Sequence, residues 1–236
     1  MYVNSVLRIP LKCDVAIVGA GPAGLFAAHE LADSKLDVAV IDKGKKPLER
    51  DSTTCGVGGA GAFSDGKLNL TPKIGGNPSS FDRSDKDVTQ RIEKLDKVFS
   101  KLGVEEQYSG VDGEDLNSLK KKASKYGIEF VTGKQRHIGT DNLPEVMNKL
   151  YEELEDKGVD FVLEFEAKKI RKEESGFVIE NSDENIECDY LIAAPGRAGS
   201  YWLRDQAENL GVGYKYGPID VGVRLEFPAE IYEDLK

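Results

Sequence analysis

Few side chains in this 236-residue sequence are of types that do chemistry unaided, and the spacing of its glycines says more than its nucleophiles do. The segment GAGPAG, Gly19 to Gly24, fits G-x-G-x-x-G. That is the spacing by which a strand turns into a helix while leaving room for a phosphate. A second segment, CGVGGAGAFSDGKLNL, Cys55 to Leu70, puts glycine at 56, 58, 59, 61 and 66. Glycine gives up side-chain packing and carries a large backbone entropy cost, so so dense a run marks a backbone that something approaches closely. Near these segments lie Asp42, Lys43, Arg50, Ser64 and Lys67, of which Arg50 and Lys67 are the residues able to meet phosphates. His137, in KQRHIGT behind Lys134 and Arg136, is the candidate for binding an anionic substrate or donating a proton. His29 lies within a helical run and reads as structural. Cys55 borders the second segment without a C-x-x-C partner, so it reads as a packed thiol. Cys13, Cys55 and Cys188 have no metal-ligand spacing, and no metal site is expected.

The elements around the first segment give it a context. DVAIV, Asp14 to Val18, is short, apolar and rich in β-branched residues, as a buried parallel strand requires. LFAAHELADS follows as a helix, and DVAVI, Asp37 to Ile41, is a second buried strand ended by Asp42. In such a unit Gly19 permits the tight turn, Gly21 admits a pyrophosphate to the backbone, and Gly24 lets helix and strand pack. The helix N-terminus, starting with Pro22 and Ala23 after Ala20 and Gly21, offers free N–H groups to phosphate. Asp42 falls near the ~20-residue spacing of an acid that accepts both ribose hydroxyls and repels a 2′-phosphate. A dinucleotide site follows, and this pattern alone admits NAD or FAD.

After the second strand an NAD-type unit returns to the sheet through a helix. Here residues 43 to 80 are instead rich in Gly, Pro, Ser, Thr and Asn with no helical period. A long irregular segment in a compact domain is usually functional. It reads as a loop running along an extended ligand, with Gly58, Gly59, Ala60 and Gly61 against the cofactor, so that bulk there harms binding more than folding.

Together DVAIVGAGPAGLFAAHEL, VAVIDKG and especially GGAGAFSDGKLN resemble a family of FAD-dependent, NAD(FAD)-utilising dehydrogenases within the glutathione-reductase-like flavoprotein superfamily. The resemblance covers the N-terminal flavin-binding part. It implies an α/β Rossmann-like FAD-binding domain with a parallel sheet, a β-meander crossover in place of a helix, and a mainly helical inserted cap. It also implies FAD as cofactor, with the loop from Gly56 to Lys67 against the isoalloxazine and ribityl chain. By position, backbone near Ala167 would meet the adenine, and Ala194 to Gly196, in LIAAPG, would pass close to the cofactor.

The remaining chain suits that order. Apolar residues at 88, 92, 95, 99 and 102 predict a helix over 84–102, and Leu116, Leu119 and Ala123 line a second over 114–126. IEFVT, Ile128 to Thr132, reads as a strand. Asn142 is the expected N-cap of a third helix with Glu145 three residues on and Leu143, Met147, Leu150 and Leu154 inward. VDFVLEF, a hairpin near Ser175-Gly176, and the strand CDYLIAAPG follow. The division expected is a discontinuous FAD-binding domain, 1–74 and 141–212, an inserted cap, 75–140, and the start of a substrate domain, 213–236.

Composition bounds the partners. The net charge of −10 disfavours nucleic acid, and no apolar run approaches the ~20 residues that span a bilayer. A cytoplasmic, FAD-dependent oxidoreductase acting on a small molecule is expected, with NAD(P)H as a further partner; an NAD-dependent dehydrogenase or a non-catalytic dinucleotide module is the alternative. IDVGVRLEF, Ile219 to Phe227, reads as a strand, and no strand-Gly-Asp-helix element follows it. The expectation is a truncated member with an exposed apolar sheet edge that self-associates and holds FAD weakly or not at all.

Overall fold

A computed structural model describes residues 12–74, 83–111, 113–217, 221–223, 226 and 228. Its elements run β1 (Lys12–Val18), α1 (Pro22–Leu31), β2 (Val38–Ile41), β3 (Lys67–Asn69), α2 (Asp85–Lys101), β4 (Tyr108–Ser109), α3 (Glu114–Lys125), β5 (Gln135–His137), α4 (Leu143–Asp156), β6 (Asp160–Val162), β7 (Lys169–Glu173), β8 (Gly176–Glu180), β9 (Asn185–Ala193) and α5 (Ser200–Asn209). The main sheet has the order β6-β2-β1-β9-β8-β7. Its first four strands are parallel, and β8 and β7 return antiparallel. This is an α/β, Rossmann-like architecture with the meander where the sequence places it.

The strand runs are apolar throughout because both faces are covered. Side chains alternate across a strand. Val15, Ile17, Val38 and Val40 therefore enter one core with Leu25 and Ala28 of α1 and Leu150 and Leu154 of α4. Ala16, Val18, Ala39 and Ile41 enter a second core with Phe165, Ile179 and Ile186 from the meander side. Each fully buried Ile or Val contributes roughly 1.5–3 kcal/mol relative to exposure. Cys13 and Cys188 sit in register on neighbouring strands in the second core, both buried. Burial, and then the Cys188 thiol, pushes Cys13 up to about 12; burial pushes Cys188 up to about 11.

β9 joins the parallel and antiparallel parts of the main sheet. Its first residues pair with β8 as far as Phe177 opposite Cys188, while Lys12 to Val18 pair with Glu187 to Ala193 on the other side. Beyond Cys188, no described strand pairs with its outer edge, and Tyr190 is exposed there. The strand starts three residues earlier than its apolar run, because Asn185 to Glu187 are held by β8.

Phe99 of α2 joins the core beneath α1, and a second, small sheet has the order β3-β5-β4. Its centre is an ionic cluster absent from any apolar pattern. Arg136 on β5 is wholly buried. Its Nη2 lies 2.9 Å from Asp96 Oδ1 and donates to Ser100 Oγ at 3.0 Å and Tyr108 Oη at 2.8 Å. Tyr108 in turn donates to Asp96 Oδ2 at 2.9 Å. The cluster ties α2 to β4 and β5.

Several local expectations change. Residues 128–132 form no strand: Ile128, Phe130 and Val131 are exposed, and β3 and β4 take both edges of β5 instead. Leu119 on α3 is exposed, although Leu116 and Ala123 are half-buried. Asn142 takes the N-cap position of α4 as expected but makes no side-chain cap bond: its backbone is already helical, and its amide donates to Ile138 O at 2.9 Å. The capping box lies on α2, where Ser84 and Asp87 satisfy each other's backbone N–H. The strand expected at Ile219–Phe227 lies largely outside the described residues.

Candidate functional site

The carboxyl ends of β1, β2 and β9 converge, and the two glycine segments meet over them. Gly19 closes β1 at φ +109, in the left-handed region, and a Cβ there would collide with Ala194 O. Gly24 likewise has no room, since a Cβ would collide with Gly19 O. Gly21 is different. Its φ of −73 suits any residue, and the nearest atom to an added Cβ is Gly59 Cα at 4.0 Å. Nothing within the protein requires glycine there, so the open space in front of it is a cradle. Gly21 is also the N-cap of α1, which has no side-chain cap and no acid in its first turn. The N–H groups of Ala23 and Gly24, behind Pro22, are left for an anion.

Asp42 has a role beyond the one its spacing implies. Its Oδ2 accepts from Ala20 N at 2.9 Å, and its Oδ1 accepts from Gly44 N and Gly56 N at 2.8 Å each. Three of about four lone-pair positions are thus engaged. One remains for a ribose hydroxyl, so the carboxylate does not accept both in this arrangement. It pins the phosphate turn, the end of β2 and the start of the glycine loop together. Asp42→Ala removes three charge-assisted bonds at a half-buried site. We expect a loss of about 1.5–3 kcal/mol in dinucleotide affinity, accompanied by a lowered unfolding midpoint; unchanged affinity and midpoint would show the clamp to be idle.

The glycine loop folds onto the phosphate turn. Gly58 N donates to Ala20 O at 2.8 Å. A Cβ on Gly59, at φ +51, would stand 3.0 Å from Gly21 Cα, and one on Gly61 would stand 2.8 Å from Pro22 Cγ. Arg50 braces the loop by donating to Gly59 O at 2.8 Å, Val57 O at 3.1 Å and Ser52 O at 2.9 Å, with its guanidinium 4.7 Å from the Phe63 ring centroid. Burial holds the Arg50 pKa below its usual value, against the pull of Asp42. Arg50 therefore positions the backbone of the loop through Nη1 and Nη2. The close visitor to Gly59 and Gly61 is the first glycine turn itself. Gly59→Leu accordingly strains the apoprotein, by roughly 1–3 kcal/mol; a wild-type urea midpoint for that variant would contradict the packing.

Beside this junction lies a cavity of about 300 Å³. Gly19, Asp42, Lys43 and Ala167 line it. Cys55 also lines it, half-buried, with Thr54 Oγ1 3.6 Å from its sulfur. Pro195, within the stretch from Ala194 to Gly196, is also in the walls, and sequence reasoning missed Phe165 and Trp202. The signal for Trp202 was present: it is the only tryptophan, and it follows the turn after β9 directly. Ala194 is held by Val18 O through its N–H at 2.8 Å, and Gly196 turns the chain at φ +65. Neither Ala194 nor Gly196 lines the cavity.

Ser64, Lys67 and His137 gather at the far end of the glycine loop. Ser64 Oγ donates to Gly61 O at 2.9 Å, Lys67 pairs with Asp65 at 3.3 Å, and Lys67 faces His137 in register. The exposed His137 ring nitrogen lies 3.2 Å from Asp65 O. None of the three lines the cavity, and His137 has no described carboxylate bonded to it. Among the described residues no cluster suits a metal ion, and no helix is long and apolar enough to cross a membrane.

Residues 14–72, from β1 through the glycine loop to just past β3, match the FAD binding domain family. Glycine oxidase from Geobacillus kaustophilus has a similar structure over 86% of this chain and 59% of its own, with a TM-score of 0.56 at 18% identity. The two chains share a fold. L-proline dehydrogenase from P. horikoshii shares it over 85% of this chain and 57% of its own, at TM-score 0.55 and 16% identity. An uncharacterized protein of Clostridium beijerinckii is 27% identical over 242 residues, 94% of this chain and 38% of its own length. The chain thus spans well under half of that relative. The residues present fit FAD: an open glycine at an uncapped helix start for the pyrophosphate, an acid with one acceptor position left, and a cavity beside them.

Proposed function

We propose that this chain is the cofactor-holding part of an FAD-dependent oxidoreductase in which a small-molecule substrate exchanges a hydride with the flavin and NAD(P)H serves as a second redox partner. The observation that carries the reading is Gly21, where an added Cβ would meet no protein atom closer than 4.0 Å at the uncapped start of α1. Bound flavin supplies the electron chemistry. The chain's own residues bind and orient: Gly21 and the start of α1 take the pyrophosphate, Asp42 a ribose hydroxyl, and the walls around Ala167 the adenine. Residues 75–140 act as a cap and 213–236 begin a substrate-facing part. A strand added to the free edge of β9 would extend the parallel run on the flavin side. His137, beside the distal end of the glycine loop, is the candidate for the substrate side. Three free thiols suit a reducing, cytoplasmic setting.

The test is to titrate the purified chain with FAD and with ADP, then to expose the FAD-loaded protein to NADH or NADPH without oxygen and follow bleaching of the flavin band. Saturable binding of FAD, competed by ADP, supports the reading. Binding of NAD with no affinity for FAD would turn it into an NAD dehydrogenase, and FAD that binds but is never reduced would make it a dinucleotide module without turnover.

A further inference from the structure

One wall of the cavity is aromatic. Trp202 stands on the first turn of α5, half-buried, packs against the core that holds Phe165, and lines the cavity together with Phe165 and Ala167. Its indole N–H is already used, donating to Lys168 O at 3.0 Å. The next turn of α5 reinforces the same junction: Gln206, also buried, donates to Lys168 O at 3.4 Å and accepts from Ile170 N at 2.8 Å. The helix is therefore latched to the stretch 168–170 by three bonds, and the indole cannot turn its N–H toward a ligand without breaking one. What it has left to present is its π-face and edge. Every base has a π-face that such a ring can stack on. Ile41, Val18 and Phe165 supply only apolar surface around it.

We propose that Trp202 is a binding residue for the adenine end of the dinucleotide, contacting the base by stacking while the latch to Lys168 fixes the ring. This rests on the reading that the cavity takes the adenosine half. The consequence is that binding of the base here depends on an aromatic plane from α5, and that α5 is part of the binding site.

Because the chain holds a single tryptophan, wild-type protein tests this without mutation. Adding ADP should quench or shift the intrinsic tryptophan emission saturably, with the same midpoint as that found by calorimetry. Trp202→Leu, which keeps apolar volume but removes the ring, should weaken ADP and FAD by the same factor, roughly 10-fold or more. Trp202→Phe should stay within about 3-fold of wild type, since a smaller ring still stacks. ADP binding that leaves the emission unchanged, or Leu and Phe variants that bind ADP alike, would overturn the inference while leaving the FAD reading intact. Failure of wild-type protein to bind either FAD or ADP would overturn both. If the Leu variant does not fold, the wild-type emission titration and the Phe variant still decide.

Discussion

Gly21→Val abolishes dinucleotide binding and leaves the apoprotein folded. Valine is at ease at the φ −73, ψ 179 of this position. The nearest protein atom to the new Cβ is 4.0 Å away, an ordinary contact, so no backbone must shift. The branched side chain instead fills the space in front of the first turn of α1, where the pyrophosphate approaches. The affinity for FAD or ADP should fall by 100-fold or more, about 2.8 kcal/mol, while the thermal midpoint without ligand moves by only a few degrees. Gly24→Ala is the contrast. Its Cβ would collide with Gly19 O, so that variant should lose fold and binding together. A Gly21→Val protein that retains FAD at full occupancy would remove the basis for placing the pyrophosphate there.

Arg136→Met should cost about 3–5 kcal/mol of stability, measured by urea unfolding. The guanidinium is wholly buried, and Asp96 is only 13% exposed at its side chain. Removing one partner strands a carboxylate in a largely dry place, and that penalty exceeds the loss of the contact itself. Lys134 Nζ, 3.7 Å from Asp96 Oδ2, offers partial compensation and favours the lower end of the range. Replacing both partners, Arg136→Met with Asp96→Leu, should recover much of the loss, because no unpaired charge remains. A double variant as unstable as the single one would mean that the cost lies in packing. The damage should concentrate in α2, β4 and β5, and slow amide exchange in β1 and β2 should persist.

These two sites differ in how far their chemistry could be read along the chain. The β1-turn-α1-β2 unit was legible because each signal is local: β-branched runs, glycine spacing and an acid at the right distance. The meander was legible for the same reason, from the order of its runs. Arg136 was not, since a charged residue between Gln135 and His137 reads as surface until Asp96, forty residues earlier, is brought beside it. The strand expected at 128–132 failed for the converse reason. Apolar residues alone do not make a strand, and the partners there pair with Gln135–His137. The glycine loop was half legible. Its density announced a close approach, but distance along the chain hid that Gly59 and Gly61 press on Gly21 and Pro22. Asp42 stood where an acid was expected, but its bonds go to the backbone N–H groups of Ala20, Gly44 and Gly56, and a pattern of side chains does not show which backbone groups meet. Trp202 belongs to a wall assembled from β1, the stretch 165–167 and α5, and no window of sequence contains that wall.

The two thiols in register at Cys13 and Cys188 make the sheet its own stopwatch. At pH 8 neither is appreciably ionised while the strands are together, so an alkylating reagent reacts with them only during the moments when β1 and β9 part. Cys55, at the mouth of the cavity, reacts at once. Mass spectra taken along a labelling time course should therefore show one fast adduct and then two slow ones arriving together. The slow rate reports how often the central pair of strands opens. A ligand seated at the carboxyl end of β1 should retard it in proportion to occupancy, and should shield the fast site as well.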